Sequence, residues 1–170
     1  MHSVCRGERK IYVTGVLFLH RISDNRFSHD AQRISAMLKV LCGDGAMPHL
    51  MLCTTMWDTV SPQEGSDRLD ELCKTDTWME MISLGADTAK MSNVGSKANE
   101  EAERIVGELV RNRPTVELAI QDEMVNQAKD AVETSAGRVL VEGQKEQHES
   151  DKQVKQLVRA RKRRSSCVIQ

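Results

Sequence analysis

Two nearly continuous apolar runs in the sequence flank one amphipathic segment. The first runs over 11–20, from Ile11 to His20, and the second covers 49–56. Such runs are typical of strands buried on both faces of a parallel sheet. Between them, apolar side chains recur three and four positions apart near 30–42, which predicts a helix. Strand, helix and strand in about 45 residues predict a βαβ unit, whose strands are parallel and adjacent.

The next segment of the chain carries weaker signals for three more elements. A helix is expected after Ser61, because Pro62 suits a first-turn position, with a break near 75–77. A short third strand is expected within 85–93. A helix over 99–111 ends before Pro114, with these residues facing inward: Ala102, Ile105, Val106, Leu109 and Val110. A sheet of two or three strands leaves an exposed edge and one bare face.

From Thr115 to about Arg164 the pattern predicts a long helical extension. Apolar residues recur every four positions along most of it: Val116, Ile120, Met124, Ala128, Val132, Ala136 and Leu140. Gly137 and Gly143 each weaken a helix by about 1 kcal/mol relative to Ala. The stripe thins beyond Gly143, which favours a solvated helix over a stable coiled coil.

Composition places the core early in the chain and the positive charge late. The five aromatic residues all lie within the first 78 positions: Tyr12, Phe18, Phe27, Trp57 and Trp78. Residues 151–164 hold seven Lys or Arg against Asp151, while the whole chain has a net charge of −1. The chain is therefore an acidic body with a basic tail. No aromatic residue interrupts the basic run, so nucleic acid is a disfavoured partner.

The cysteine pattern and the absence of a leader indicate a reducing compartment. The five cysteines are scattered and form no C-x-x-C pair, which disfavours a disulfide framework or a zinc site. No signal peptide and no apolar run of 18 residues is present. We expect a cytoplasmic protein, in solution or on the cytosolic face of a membrane.

The last four residues match a prenylation motif. Cys167 is followed by two aliphatic residues and Gln, which favours a farnesyl group on Cys167. The preceding basic run, Arg159–Arg164, would bind an anionic membrane surface and supply the second signal that one lipid chain needs. The alternative is a solvated basic tail with a chance terminus.

Three short stretches carry a resemblance to a known family. They are GVLFLHRISDNR from Gly15 to Arg26, LCGD from Leu41 to Asp44, and CTTMW from Cys53 to Trp57. They resemble a fungal branch of the P-loop GTPases, related to the avirulence-induced, immunity-associated GTPases and more distantly to septins. The resemblance implies an α/β fold, with a partial parallel sheet of a G domain over 1–113. The helical extension over 114–164 and the C-a-a-X tail over 165–170, both predicted from the residue pattern, would follow it.

The resemblance also implies GTP as the ligand and a set of guanine-side residues. Thr55 to Asp58 occupies the place of the guanine-recognition motif, with Met56 where the family has lysine. The Asp58 carboxylate would accept both N–H donors of guanine. Asn93 falls in the second base-contacting loop. The alternative is that Asp58 only starts a turn.

The phosphate side of such a site is missing from this sequence. It contains no G-x-x-x-x-G-K-[ST] run, so the loop that cradles the phosphates is absent and no catalytic residue is expected. Two functions remain. One is a member or fragment of a GTP-binding family, inactive as this chain. The other is a non-enzymatic, membrane-tethered interaction protein that uses a degenerate half G domain, a prenylated tail and a helix-mediated protein partner.

Overall fold

The computed structural model describes residues 12–24, 29–92, 95–111, 114–146, 148, 149 and 152. Its elements in chain order are β1 (Val16–Arg21), α1 (His29–Cys42), a 3-10 helix (Asp44–His49), β2 (Leu50–Thr55), a 3-10 turn (Trp57–Thr59), α2 (Pro62–Cys73), α3 (Asp76–Ser83), β3 (Asp87–Lys90), α4 (Gly95–Val110), α5 (Ala119–Gln121), a π-helical turn (Asp122–Asn126) and a helix over 135–146, here α6. The fold is mixed α/β with a small parallel sheet.

The three strands form one parallel sheet in chain order, β1-β2-β3. Val16 lies opposite Leu50 in the first pair, and Met51 lies opposite Asp87 in the second. The predicted adjacency of the first two strands, their parallel direction and the helix between them are confirmed. β1 begins at Val16, later than expected, because Val13 pairs instead with Val116 in an isolated antiparallel bridge.

The central strand β2 divides the core into two clusters. Leu50 and Leu52 point to one face, where α1, α2 and α3 contribute Leu38, Leu72, Trp78 and Met81. Met51 and Cys53 point to the other face, against α4. All six residues of β2 are buried, which explains why its sequence is an unbroken apolar run.

The helix start at Pro62 and the break after it are confirmed. The Ser61 hydroxyl accepts a hydrogen bond from the Glu64 amide at 3.2 Å, which caps α2. α2 ends at Cys73, and Thr75 then precedes α3. The break therefore lies at Lys74 and Thr75 and begins one residue before the predicted range.

Helix α4 covers only part of its face of the sheet. Ile105 and Leu109 are buried as expected, and they pack on residues of β2 together with Ala89 and Met91. Val106 and Val110 were expected to face inward, and that is wrong, since both are about half exposed. α4 packs mainly on β2 and β3 and reaches β1 only near Gly15, so its flank on the β1 side stays exposed.

The long helical stretch predicted from Thr115 to about Arg164 is interrupted in the residues that the structure describes, with helical segments only at 119–126 and from 135. Val116 donates its amide to the Val13 carbonyl at 2.8 Å, in a bridge rather than a helix. Leu118 is buried in the core cluster that contains Leu50, which fixes the chain in an extended conformation there. Ala128 has a φ of 53°, a left-handed conformation that no α-helix continues through. Short-range spacing of apolar residues could not reveal these contacts.

One carboxylate joins the π-helical turn to α6. Glu123 is buried, and its oxygens accept from the Lys129 ammonium at 2.9 Å and from the Ser135 amide and hydroxyl, both at 2.8 Å. These hydrogen bonds lower the pKa of Glu123 to about 2. The Thr134 hydroxyl accepts from the Gly137 amide at 3.0 Å and caps the same helix.

The two glycines of α6 make close contacts. A Cβ at Gly137 would lie 2.1 Å from the Ala131 carbonyl oxygen, and one at Gly143 would lie 2.1 Å from Cδ of Arg33. The Arg33 guanidinium also donates to the Gly143 carbonyl at 2.9 Å. These positions weaken the helix intrinsically but allow it to approach the preceding turn and α1.

Candidate functional site

The carboxyl ends of the three strands meet at one edge of the sheet. Arg21, Thr55 and Lys90 are the last residues of β1, β2 and β3. In open parallel sheets, ligands bind beyond these ends, because the loops that follow the strands converge there. The edge therefore sets the place to look for a site.

The turn after β2 has a strained backbone. Met56 has a φ of 64° and a ψ of 32°, a left-handed conformation that costs a non-glycine residue about 1–2 kcal/mol. The Thr59 amide and hydroxyl both donate to the Met56 carbonyl, at 3.2 and 2.7 Å. The result is a tight turn that places Asp58 in solvent, where no ion pair joins its carboxylate to another described residue. Strain of this kind is more frequent at functional sites than elsewhere.

The neighbouring Trp57 indole is held on three sides. Its Nε1–H donates to the carbonyl oxygen of Thr54 at 3.1 Å and to the hydroxyl at 3.0 Å. The Lys90 ammonium lies 4.4 Å from the ring centroid, in a cation–π contact between β3 and the turn. The ring edge packs on Gly65, where a Cβ would lie 2.7 Å from Cζ3. The turn that carries Asp58 is thus fixed to both β3 and α2.

The loop after β1 is anchored to the same frame. The Ile22 amide donates to the Thr55 carbonyl at 2.9 Å, and the Arg68 guanidinium of α2 donates to the Ile22 carbonyl at 3.0 Å. Nearby, His20 packs edge-on against Trp78, with ring centroids 6.0 Å apart. Burial lowers the pKa of His20, and the negative charge of Asp24 partly opposes this shift. His20 is therefore a packed, largely neutral residue at pH 7.

The structure describes two of the three predicted guanine-side residues, Thr55 and Asp58. Thr55 is buried, and its hydroxyl donates to the His20 carbonyl at 3.4 Å, so it links two strands. Asp58 is exposed three residues later. Asn93 lies outside the described residues, and so do Cys167 and the basic run Arg159–Arg164.

Two contacts at this edge were missed by the sequence interpretation. They are the Lys90–Trp57 pair and the hydrogen bond from the Ser92 amide to the Glu101 carboxylate, which ties the end of β3 to α4. Neither pair has a fixed spacing in the sequence. The one available signal is that Lys90 and Ser92 flank the end of the weak third strand, at the edge where the other strands also end.

The described part of the chain offers little else that is reactive. It contains no group of three or more metal-ligating side chains. Burial raises the pKa of the Cys42 thiol to about 11 and also raises the pKa values of Cys53 and Cys73, which makes all three poor nucleophiles at pH 7. None of the described helices has both the length and the apolar character to cross a bilayer. What the edge can supply is recognition, through an exposed carboxylate on a rigid turn.

Comparisons with protein-family models, with curated proteins and with solved structures found no match to this chain.

Proposed function

We propose that this chain is the guanine-recognising part of a GTP-binding, G-domain-type protein and that it does not hydrolyse GTP by itself. The observation that carries the proposal is the position of Asp58. Its carboxylate is exposed on a strained, well-anchored turn at the carboxyl end of the central parallel strand. This is where a ligand of an open parallel sheet binds.

The chemistry of Asp58 suits guanine better than adenine. Guanine presents two adjacent N–H donors, on N1 and on the exocyclic N2, and one carboxylate accepts from both. Adenine offers an acceptor at N1, which would face the carboxylate and be rejected. The apolar stem of Met56 beside Asp58 would contact the base in place of the lysine stem of the resembling family.

The proposal excludes tight nucleotide binding by this chain. Phosphoryl transfer depends on a loop of backbone amides, a lysine and a magnesium-binding hydroxyl around the phosphates. The sequence has no such motif. Most of the affinity for GTP, and all of the catalysis, would have to come from polypeptide outside the sequence described here.

Guanosine without phosphates is the direct probe. We would record amide shifts in ¹⁵N-labelled protein during titration to millimolar concentrations of guanosine, and then of adenosine. Guanosine should move the amides of 56–60 with millimolar affinity, whereas adenosine should not. A fluorescent GTP analogue with Mg²⁺ should not saturate at micromolar concentrations.

The matched variants are Asp58→Asn and Asp44→Asn. Both residues are exposed aspartates in 3-10 segments. Asp44 precedes β2, at the amino end of the strand, whereas the proposed site lies beyond its carboxyl end. Asp58→Asn should abolish the guanosine shifts, because an amide places a donor against the base donors, and Asp44→Asn should leave them intact. Equal shifts with both nucleosides, or unchanged guanosine shifts in Asp58→Asn, would refute the proposal.

The second candidate function is membrane-tethered interaction, favoured by the terminal C-a-a-X sequence and the preceding basic run. If Gln170 is the C-terminus of the protein, Cys167 would carry a farnesyl group and Arg159–Arg164 would bind anionic lipid. A single C15 farnesyl chain binds a membrane only reversibly, so the basic charge would contribute nearly as much to membrane binding as the lipid.

Intact mass after expression in eukaryotic cells tests this candidate. Prenylation should remove the last three residues and add the lipid, and Cys167→Ser should move the protein from membranes to the cytosol. Changing Arg161, Lys162, Arg163 and Arg164 to Gln should release much of it, and so should high salt. An unmodified Cys167 with Val168–Gln170 still attached would rule this function out.

A further inference from the structure

The two edges of the sheet differ in how they are protected. β3 forms one edge and is four residues long, with charged Asp87 and Lys90 at its ends. β1 forms the other edge with six residues, and no strand in the described part of the chain pairs with its outer side. From Gly15 to His20 this edge contains no Lys, Arg, Asp, Glu or Pro. Natural sheets usually guard free edges with such residues, so an unguarded edge is a pairing surface.

One face of β1 is also apolar and uncovered. Leu17 and Leu19 are 37% and 52% exposed, and they point to the same face as Gly15 because strand side chains alternate. α4 lies on that face, since a Cβ at Gly15 would lie 2.8 Å from Cδ2 of Leu109. Leu17 and Leu19 therefore lie beyond the edge of α4, which does not cover them.

Helix α4 adds two more apolar side chains beside this strand. The Glu101 carboxylate binds the Ser92 amide, which places that flank of α4 next to β3. Val106 and Val110 lie on the opposite flank by helical geometry, about 140–180° around the axis from Glu101. They are 49% and 58% exposed. With Leu17 and Leu19 they form what is called here the β1 patch.

We propose that the β1 edge pairs antiparallel with the β1 edge of a second copy of this chain, with the two-fold axis at Phe18. A two-fold axis perpendicular to the sheet makes the pairing antiparallel and keeps both α4 helices on one face. The two β1 patches then meet and bury each other, and two three-stranded sheets join into one of six strands. This inference uses neither Asp58 nor the turn that carries it.

The sequence of β1 is complementary to itself in this register. Leu17 falls opposite Leu19 of the other copy, so that two apolar cross-strand pairs form on the patch face. Arg21, the only charged residue of β1, falls opposite Gly15, so no like charges meet. Arg21 also lies 3.6 Å from the Asp24 carboxylate, which partly neutralises it.

Neighbouring registers are worse on the same grounds. An axis at Leu19 places the Arg21 guanidinium against Leu17, on the apolar patch. An axis at Leu17 extends the pairing to Val13, whose carbonyl already accepts from the Val116 amide. The Phe18 register ends at Gly15 and leaves that bridge untouched. A single six-residue strand from each copy makes a small interface, so the dissociation constant should be about 1–100 µM.

Sedimentation velocity of the full chain tests the proposal. From 1 to 300 µM in reducing buffer, the mass should rise from 19.1 kDa toward twice that value. Leu19→Lys should weaken the dimer at least tenfold, because it places a charge in each cross-strand pair, and should fold normally because the side chain is half exposed. Val125→Lys is the control, at an exposed valine of the π-helical turn outside the patch. It should not change the dimer, and melting curves check that all variants fold.

Cysteine trapping tests the register. In a background with Cys5→Ser, Cys73→Ser and Cys167→Ser, a mixture of Leu17→Cys and Leu19→Cys chains should form disulfide-linked heterodimers faster than either variant alone links to itself. Directly opposite positions lie about 5 Å apart, against about 7–8 Å for diagonal ones. The dimer proposal would be refuted if the wild type is still a monomer at 300 µM, or if Val125→Lys weakens the dimer as much as Leu19→Lys does. The β1 edge would then be available to a strand from another polypeptide. Equal trapping in all three samples would overturn the Phe18 register.

Discussion

The substitution Gly65→Ala has two effects of opposite sign on stability, so its net effect tests the packing of the turn that carries Asp58. Gly65 lies in the first turns of α2, where Ala is intrinsically the better helix former by about 0.5–1 kcal/mol. Propensity alone therefore predicts a more stable protein. The structure predicts the reverse.

The predicted loss comes from the Trp57 indole. An added Cβ would lie 2.7 Å from Cζ3 and 2.9 Å from Cε3 of Trp57, and 3.2 Å from Cγ2 of Val60. The ring cannot shift easily, because its Nε1–H donates hydrogen bonds to Thr54 and the Lys90 ammonium lies over its face. Overpacking of this kind costs about 1–3 kcal/mol, which exceeds the helix-propensity gain, so we expect a net loss of up to about 2.5 kcal/mol. For a chain of this size that is a drop in Tm of up to about 10 °C.

Urea unfolding followed by circular dichroism measures the loss, and Gly107→Ala is the matched control. At Gly107, a helix-interior position of α4, a Cβ would meet only the flexible end of Arg111 at 3.0 Å, so Ala should stabilise by about 0.5–1 kcal/mol. In a Trp57→Val background, Gly65→Ala should cease to be destabilising, because the clashing ring is gone. If Gly65→Ala stabilises the protein as Gly107→Ala does, the packing of Trp57 described here is wrong.

Three further predictions follow from the titrating groups. The fold lowers the pKa of Glu123 from 4.5 to about 2, so ionised Glu123 stabilises the protein above pH 4.5, and this stabilisation is lost as the pH falls toward 2. The difference in urea midpoint between wild type and Glu123→Gln should therefore shrink over that range. A constant difference would contradict the hydrogen bonds from Glu123 to α6. Burial lowers the pKa of His20 below 6.5, so wild type should lose stability as the pH falls below 6.5, and His20→Gln should lack that loss in pH-dependent melting curves. Cys42 should resist iodoacetamide at pH 8 in the native protein, since burial raises the pKa of its thiol to about 11; rapid labelling seen by peptide mass mapping would mean that α1 is less well packed than described.

Elements whose apolar faces are set by local neighbours could be predicted from the sequence. β2 is buried on both sides, so every residue of its run is constrained, and its boundaries were found to within a residue. The start of α2 was equally clear, because Ser61 and Pro62 act on the residues next to them. β1 was recognised as a strand, but its apolar run suggested burial on both faces. Leu17 and Leu19 are exposed instead, which no local pattern distinguishes.

The elements after Pro114 could not be predicted in this way, because distant contacts decide them. The four-residue spacing from Val116 to Leu140 is compatible with a helix, yet Val116 is held by Val13 and Leu118 by the core. The one local clue was Thr134, a helix-capping residue inside the supposed helix. At the candidate site, the sequence located Asp58 at a strand end. The Lys90–Trp57 contact depends on the register of β3 against β2, which the weak strand signal could not supply.

The bridge between Val13 and Val116 also delays part of the folding that can take place during translation. Its two residues are roughly 100 positions apart, and ribosomes add about 5–20 residues per second, so Val13 is synthesised roughly 5–20 s before its partner. Over that interval β1 and β2 can already pair, while the site that Leu118 fills in the core stays open. The nascent chain therefore passes through a stage with both this gap and the β1 edge exposed, and a chaperone that binds short apolar segments would find its substrate there.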